Sequence, residues 1–249
     1  MPGTLCLTFD NMGRAREIGE GVASRPDVNE PGLAVGYPRL LSLLDELGLK
    51  GTFFIEGRNG LHHPDRVQEL AKRGHEVGLH GWVHERFGTL ERSRAEQLLC
   101  DGTVALERIG LRPAGFRAPG GARGTHTAGI LKSLGFLYDS SAGVNDAPQP
   151  SLLAPGLAHV PWRPGMVDSI QYLRHPTRAR TPAELEAAWL KEIDAVGEGE
   201  TLTIVIHAFV SGVDDERFAV VRKVLGRARE RLQVKTAGAV ADLVLEGLQ

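Results

Sequence analysis

Two histidines four residues apart carry the clearest chemical signal in this sequence of 249 residues. His80 and His84 follow an apolar run, and on a helical turn this spacing places both imidazoles on one face. Two such imidazoles can bind one metal ion. The pair alone is weak support for a metal site, because histidines at this spacing also occur as ordinary surface or core residues.

Other residues suited to acid–base or metal chemistry also come directly after apolar runs. Three of these runs lead into Asp10, Arg117 and His207, and a fourth leads into His80. Continuous apolar runs are typical of strands that are buried on both faces of a parallel sheet or barrel. Because the carboxyl ends of parallel strands meet at one edge, the sequence predicts a single assembled site.

The elements that would position these residues alternate between strands and helices, which indicates an α/β fold. Leucines at helical spacing predict a helix from Pro38 to Leu47, and Thr181 begins a capping box that predicts another. The proline-rich segment 148–164 is expected to be a loop. We find no repeat or linker, so one domain is expected over residues 1–249.

Residues 13–36 form a long connection after the first predicted strand. Connections of this length often serve as a lid, as a wall of the substrate site or as an oligomer contact. The sequence leaves these three alternatives open.

Composition narrows the classes of partner. The formal net charge is -2 and the chain has no tract rich in Lys or Arg, which argues against nucleic acid binding. No apolar run reaches membrane-spanning length, and a strand is expected to begin near Thr4, which leaves no room for a leader peptide. We therefore expect a cytoplasmic protein that does not associate with membranes and acts on a small molecule.

The motifs together resemble the polysaccharide deacetylases with a NodB-homology domain, carbohydrate esterase family 4. The matching stretches occur in the family's order and are Thr8-Phe9-Asp10-Asn11, His80-x-x-x-His84, Arg117-x-Pro119-x-Gly121 and Ile206-His207. The resemblance implies a catalytic domain built as a distorted (β/α) barrel with fewer strands than a regular eight-stranded one. The layout looks closer to the branch with peptidoglycan-deacetylase-like proteins, allantoinases and cyclic imide hydrolases, whose members are often homo-oligomers.

The resemblance also implies roles for single residues. Asp10 matches the general base, Arg117 the residue that orients it, and His207 the general acid. Asn11, His80 and His84 match the metal ligands of one divalent cation. Zn²⁺ is expected first, with Co²⁺, Ni²⁺ and Mn²⁺ as alternatives.

Asn11 departs from the family pattern, because the family has a metal-binding aspartate at this position. A neutral amide binds a cation more weakly than a carboxylate does. Three alternatives stay open: Asn11 is a weak third ligand, Asp10 takes the ligand role, or the metal is lost. The presence of both His80 and His84 favours the first two.

Substrate contacts are less well defined by the sequence. The candidates are Trp82, Pro119, Gly120, Asp139 and Trp162. Asp139 and Asp146 are also candidates for an aspartate that engages Arg117, and Asp168 with Trp162 and Arg163 forms a rival set.

Three functions compete. The first is metal-dependent hydrolysis of a carbon–nitrogen bond, as in N-deacetylation of an amino-sugar-type substrate or of another small N-acyl compound. The second is ring-opening hydrolysis of a cyclic imide or ureide, with a metal-free version that Asn11 supports. The third is an inactive barrel that binds a ligand, against which the combination of Asp10, Arg117 and His207 argues.

Overall fold

The structure is a computed structural model and describes residues 2–143 and 148–247. Within these ranges a curled sheet is surrounded by helices. Its nine strands are β1 (Thr4–Asp10), β2 (Thr52–Ile55), β3 (Glu76–Leu79), β4 (Gly115–Phe116), β5 (Tyr138–Asp139), β6 (Ser151–Ala154), β7 (Leu157–His159), β8 (Thr201–His207) and β9 (Gln233–Lys235).

The strand order in the sheet is β6-β7-β5-β4-β3-β2-β1-β8, and β9 also pairs with β1. All pairs are parallel except the hairpin of β6 and β7. An isolated parallel bridge between Val167 and Val205 brings the chain that follows β7 back to β8, so the sheet curls toward closure. The expected distorted (β/α) barrel is therefore confirmed, but the expectation of fewer than eight strands is wrong, because the sheet of the described residues has nine.

Helices connect most of the parallel strands. They are α1 (Ala15–Gly19), α2 (Tyr37–Leu47), α3 (Gly57–His62), α4 (Pro64–Lys72), α5 (Arg92–Glu107), α6 (Thr127–Ser133), α7 (Asp168–Leu173), α8 (Pro182–Ala195), α9 (Asp215–Arg231) and α10 (Ala237–Leu245). The two helices predicted from the leucine spacing and from the capping box are confirmed as α2 and α8. In α8 the Thr181 hydroxyl accepts from the Glu184 N–H, and the Glu184 carboxylate accepts from the Thr181 N–H.

Strands β1 and β8 are neighbours in the sheet, and all seven residues of each are buried. Their apolar residues pack on both faces, as expected for parallel strands covered by helices. The ring of Phe9 stacks on that of Phe53 in β2, with centroids 4.4 Å apart. In the register of β1 and β8, Asp10 lies opposite His207, so the two strands end at the same level.

The prediction that residues 148–164 form a loop is wrong in part, because these residues contain β6 and β7. These strands form an antiparallel hairpin around Gly156, which has a φ of 76°. That left-handed conformation suits glycine and permits the tight turn. Residues of β6 are exposed or only partly buried, so this edge strand lacks the apolar run of the central strands.

Residues 13–36 are more ordered than a plain connection. They contain α1 and a helical turn over Gly32–Gly36 that runs directly into α2. A Cβ added at Gly36 would lie 2.3 Å from the carbonyl oxygen of Ala208, so only glycine allows this turn to pack against the chain that follows β8. The segment is thereby held beside the carboxyl ends of β1 and β8.

Among residues 2–143 and 148–247, no helix combines the length and the apolar character that crossing a bilayer requires.

His75 is a buried structural residue at the start of β3. Its Nδ1 lies 3.3 Å from the Gly51 nitrogen and accepts its N–H, and its ring meets Phe53 edge-on. Burial, with a contribution from Lys50, lowers the pKa of His75 to about 4.

We predict that His75→Gln flattens the pH dependence of stability. The folded protein holds His75 neutral while the unfolded chain protonates near pH 6.5, so its contribution is full above that pH and is lost as the pH falls toward 4. One such proton changes the unfolding free energy by at most about 1.4 kcal/mol per pH unit. Urea unfolding of the metal-free protein between pH 7 and 4 measures it. His126→Gln at an exposed histidine is the control, and an equally steep wild-type and His75→Gln curve would contradict the prediction.

Candidate active site

Arg117 and Asp10 form a buried ion pair at the carboxyl ends of β4 and β1. The guanidinium Nη1 lies 2.7 Å from Asp10 Oδ1 and 2.9 Å from the Thr8 hydroxyl. Nε and Nη2 donate to the carbonyl and hydroxyl oxygens of Ser140, each at 2.8 Å. The guanidinium also lies 4.2 Å from the centroid of the Phe54 ring. Arg117 is fully buried and 0% exposed, so these contacts hold the guanidinium in one position.

The ion pair keeps Asp10 ionised. Burial alone would raise the pKa of its carboxyl group, but the adjacent Arg117 guanidinium, together with His80 and His207, outweighs burial and lowers the pKa below its usual value. Since Oδ1 accepts from Arg117, Oδ2 is left for other contacts and lies 4.0 Å from the Nε2 of His80. This arrangement suits a proton acceptor.

His207 is positioned by Asp168 at the first residue of α7. The Nδ1 of the imidazole lies 2.6 Å from Asp168 Oδ1. Asp168 Oδ2 accepts from the His207 backbone N–H at 2.9 Å and from the Ser211 hydroxyl at 2.6 Å. A carboxylate beside Nδ1 favours a proton on that nitrogen, which leaves Nε2 for exchange of a proton with a ligand.

Two of the three aspartates predicted as candidates to contact Arg117 have other partners in the structure. Asp168 contacts His207, and Asp139 accepts the Ser141 N–H at 2.6 Å and lies 3.6 Å from Arg123. Arg117 is supported by Ser140 instead of either aspartate. Asp146 lies outside the described residues.

The expected helical turn from His80 to His84 is wrong. Residues 80–84 form a loop of bends, and both Gly81 and His84 have positive φ, at 75° and 73°. The imidazole rings nevertheless lie close together, with centroids 5.1 Å apart. The loop reverses sharply between the two histidines, so their proximity comes from this turn and not from helical periodicity. The carboxylate of Glu85 accepts the N–H groups of Trp82 and Val83 and holds the turn.

Both imidazoles are suited to binding a cation. Burial lowers the pKa of His80 to about 4, and burial together with His80 lowers the pKa of His84 to about 2. Both rings are therefore neutral at neutral pH, which is the form that binds metals. The Nδ1 of His80 lies 2.9 Å from the carbonyl oxygen of Arg117, which acts as acceptor, so Nδ1 carries the proton and Nε2 has a free lone pair.

Glu56 joins the two histidines and was missed by the sequence reasoning. One ligand atom each from Glu56, His80 and His84 can be chosen so that all three lie within 4.8 Å of one another. Glu56 is only 1% exposed, and burial raises the pKa of its carboxyl group to about 8. It directly follows β2, so the rule that selected Asp10 and His80, a polar residue after a buried strand, would also have selected Glu56.

Two buried oxygen atoms at this position have no hydrogen-bond partner among the described residues. They are Oε1 of Glu56 and Oδ1 of Asn11. Asn11 has a φ of 62°, a conformation that asparagine tolerates well. Its backbone carbonyl oxygen accepts from the Tyr37 hydroxyl at 2.6 Å. Neutral imidazoles and buried oxygens without partners fit a divalent cation of the zinc type.

The site opens into a cavity of about 370 Å³. Its walls include the polar residues Asp10, Asn11, His80, His84 and His207. Arg16 of α1 also lines the cavity, so the 13–36 segment contributes to its wall. The sequence left a lid, a wall of the substrate site and an oligomer contact open for this segment. The position of Arg16 agrees with a wall of the substrate site.

The five candidate substrate contacts separate into two groups. Gly120 and Trp162 line the cavity, whereas Trp82, Pro119 and Asp139 do not. Trp82 packs instead against α3 and the hydrophobic core, and Asp139 is fully buried beneath the site, where its carboxylate serves the backbone of Ser141.

Comparison with known proteins agrees with this geometry. The model of the polysaccharide deacetylase family matches residues 2–138, more than half of the chain. The chain belongs to the polysaccharide deacetylase family. It is 38% identical over 117 residues to the peptidoglycan deacetylase-like protein FGM2 of Gibberella zeae, a match that covers 45% of this chain and 34% of that protein. The match thus spans about a third of this curated relative.

Solved structures extend the likeness over the whole fold of this deacetylase-family protein. The crystal structure of a candidate polysaccharide deacetylase from Mycobacterium smegmatis superposes with a TM-score of 0.85 at 29% identity, covering 99% of this chain and 91% of that one. The PuuE allantoinase superposes with a TM-score of 0.81 at 19% identity, covering 96% and 89%. At that identity, the second likeness shows a shared fold alone.

We predict that Asp168→Asn changes the tautomer of His207. Two donors, the His207 N–H and the Ser211 hydroxyl, face Oδ2, whereas one backbone donor, the Ser169 N–H, faces Oδ1, so we expect the amide oxygen to take the side with two donors. The amide NH₂ must then face Nδ1, which moves the ring proton to Nε2. The ¹⁵N chemical shifts of the His207 imidazole measure this change. Ser211→Ala is the matched control and should keep the wild-type tautomer; unchanged shifts in Asp168→Asn would contradict the assigned role of Asp168.

Proposed function

We propose that the protein is a metal-dependent hydrolase of carbon–nitrogen bonds that removes an acetyl group from an amino-sugar-type or other small N-acyl substrate. The observation that carries this proposal is the Asp10 carboxylate, held ionised by Arg117 at 2.7 Å and turned toward His80. A buried base beside two neutral imidazoles and opposite a second acid–base histidine is the arrangement that amide hydrolysis requires.

Asp10 acts as the general base. Its Oδ1 is occupied by Arg117, so Oδ2 takes the proton of the water that attacks the amide carbonyl. Arg117 is anchored on Ser140 and Thr8 and keeps the carboxylate aimed while its charge changes. Arg117 is therefore a positioning residue for Asp10.

His207 acts as the general acid. Asp168 holds Nδ1, so Nε2 is the nitrogen that donates a proton to the leaving nitrogen. Asp10 and His207 lie opposite each other on β1 and β8, which allows one to accept a proton and the other to donate one within a single cavity.

The cation would be held by His80, His84 and buried oxygen ligands at the ends of β1 and β2. When bound, a divalent cation supplies Lewis acidity that polarises the amide carbonyl and stabilises negative charge on its oxygen. Zn²⁺ fits the two imidazoles best, and Co²⁺, Ni²⁺ and Mn²⁺ accept the same ligand types.

Ring opening of a cyclic imide or ureide is the second candidate. It breaks the same type of bond and would use the same base and acid, and the neutral side chain of Asn11 is the observation that favours its metal-free form. A role in binding alone is less well supported, because two separate partners, Arg117 for Asp10 and Asp168 for His207, hold acid–base groups that a binding protein would not need.

Acetate release tests the proposed function. The purified protein is incubated with N-acetylglucosamine oligomers, with N-acetylated monosaccharides and with cyclic imides, before and after removal of metal by a chelator and after addition of zinc. We expect chelator-sensitive acetate release that zinc restores. Ring opening of an imide that continues without metal, with no acetate from any acetylated sugar, would replace the first candidate by the second.

We predict that Asp10→Asn lowers turnover by about 10² to 10⁴-fold, the usual contribution of a general base. The variant should also be less stable, because it leaves the fully buried Arg117 without the only carboxylate within 4.0 Å among the described residues. Loss of one partner of a buried pair costs about 3–5 kcal/mol. Initial rates and urea unfolding measure the two effects, with Asp45→Asn on α2 as the control. Wild-type turnover in Asp10→Asn would contradict the base assignment.

A further inference from the structure

Charge balance at the proposed cation site is incomplete if the two histidines and Asn11 are considered alone. Histidine binds a metal as the neutral imidazole, so His80 and His84 would add no charge, and the amide of Asn11 carries none either. A divalent cation in a buried site needs negative charge nearby, because transfer of an uncompensated charge from water into the protein is costly. A carboxylate beside the cation would supply this charge.

Asp10 is poorly placed to supply it. Its Oδ1 accepts from Arg117, which already neutralises the carboxylate, and Arg117 has no other carboxylate within 4.0 Å in the described part of the chain. Binding of the cation through Oδ2 could keep the contact between Oδ1 and Arg117, but it would occupy the oxygen that the proposed function uses as the proton acceptor.

Glu56 has the properties that Asp10 lacks. No cationic side chain lies within 4.0 Å of its carboxyl group among residues 2–143 and 148–247, so a bound cation would be the partner of its ionised form. Its Oε2 accepts from the Asn59 amide at 2.8 Å and faces the Met12 N–H at 3.4 Å, which orients the group. Its Oε1 is buried and has no partner, and a carboxylate oxygen lies within 4.8 Å of a nitrogen of both His80 and His84.

We propose that Glu56 is the anionic metal ligand of this protein and supplies, from the end of β2, the charge that Asn11 cannot supply from the end of β1. The inference rests on the proposed function, since it assumes that the cation binds. It separates two tasks between two strands: Glu56 neutralises the cation, and Asp10 remains free of it and paired with Arg117 as the base. Asn11 contributes a neutral oxygen through its unpartnered Oδ1.

Zinc affinity tests the inference without any substrate. Competition with a chromophoric chelator gives the zinc dissociation constant of the wild-type chain, of Glu56→Gln and of His84→Ala. Glu56→Gln keeps the shape of the side chain and an acceptor for Asn59 while it removes the charge. We expect its zinc affinity to fall by about 100-fold or more, beyond the 10 to 100-fold that loss of a supporting residue causes.

A charge exchange makes the test specific. In the double variant Asn11→Asp, Glu56→Gln the carboxylate returns on the neighbouring strand, and we expect zinc affinity within about tenfold of the wild type. Glu17→Gln is the matched control, because Glu17 lines the neighbouring cleft with Asn11 and Glu56 but belongs to no group of ligand atoms with the histidines. Far-UV circular dichroism verifies folding, and Glu56→Asp, which withdraws the carboxylate by one methylene, replaces Glu56→Gln if that variant does not fold.

The outcomes distinguish the two proposals. Zinc binding that is lost in His84→Ala but unchanged in Glu56→Gln would overturn the role of Glu56 and leave the metal-dependent function standing. Equal losses in Glu56→Gln and Glu17→Gln would also overturn it, because only the general negative field would then matter. Absence of zinc binding in the wild type would overturn both the role of Glu56 and the metal-dependent function.

Discussion

The buried ion pair of Arg117 and Asp10 is the interaction on which the rest of the site depends. Every nitrogen of the guanidinium has an oxygen partner, on Asp10, Thr8 or Ser140, and these partners come from β1 and from the end of β5. The pair therefore ties together strands that are distant in sequence. It also keeps Asp10 ionised inside the protein, where burial alone would favour the neutral acid.

The sheet then places the other functional groups around this pair. Because nearly all strands are parallel, their carboxyl ends meet at one edge, and Asp10, Glu56, His80, Arg117 and His207 all lie at or just after such an end. Each acid–base group has its own partner: Arg117 for the carboxylate of Asp10 and Asp168 for the imidazole of His207. Each of these two side chains is thereby held in one orientation at the edge of the cavity.

Much of this could be predicted from the sequence. The fully buried runs of β1 and β8 are visible as apolar stretches, and the polar residue after each one, Asp10 or His207, marks the edge where the cavity forms. What could not be predicted depends on distant contacts. The turn that brings His84 to His80 needs positive φ at His84, which no local pattern indicates. Glu56 was not predicted, because the motif from Thr8 to Asn11 indicates Asn11 as the third candidate ligand. The hairpin of β6 and β7 has an exposed edge strand, so its hydrophobic pattern is weak.

Anomalous diffraction at the zinc absorption edge, recorded from crystals of the zinc-loaded protein, tests whether Glu56 or Asp10 binds the cation. If Glu56 is the ligand, we expect one strong peak at about 2.0–2.2 Å from a His80 nitrogen, a His84 nitrogen and a Glu56 carboxylate oxygen. Asp10 should remain bound to Arg117 in the same map. A crystal with zinc in the solution but no peak between His80 and His84, or a peak on Asp10 with Arg117 displaced, would contradict it.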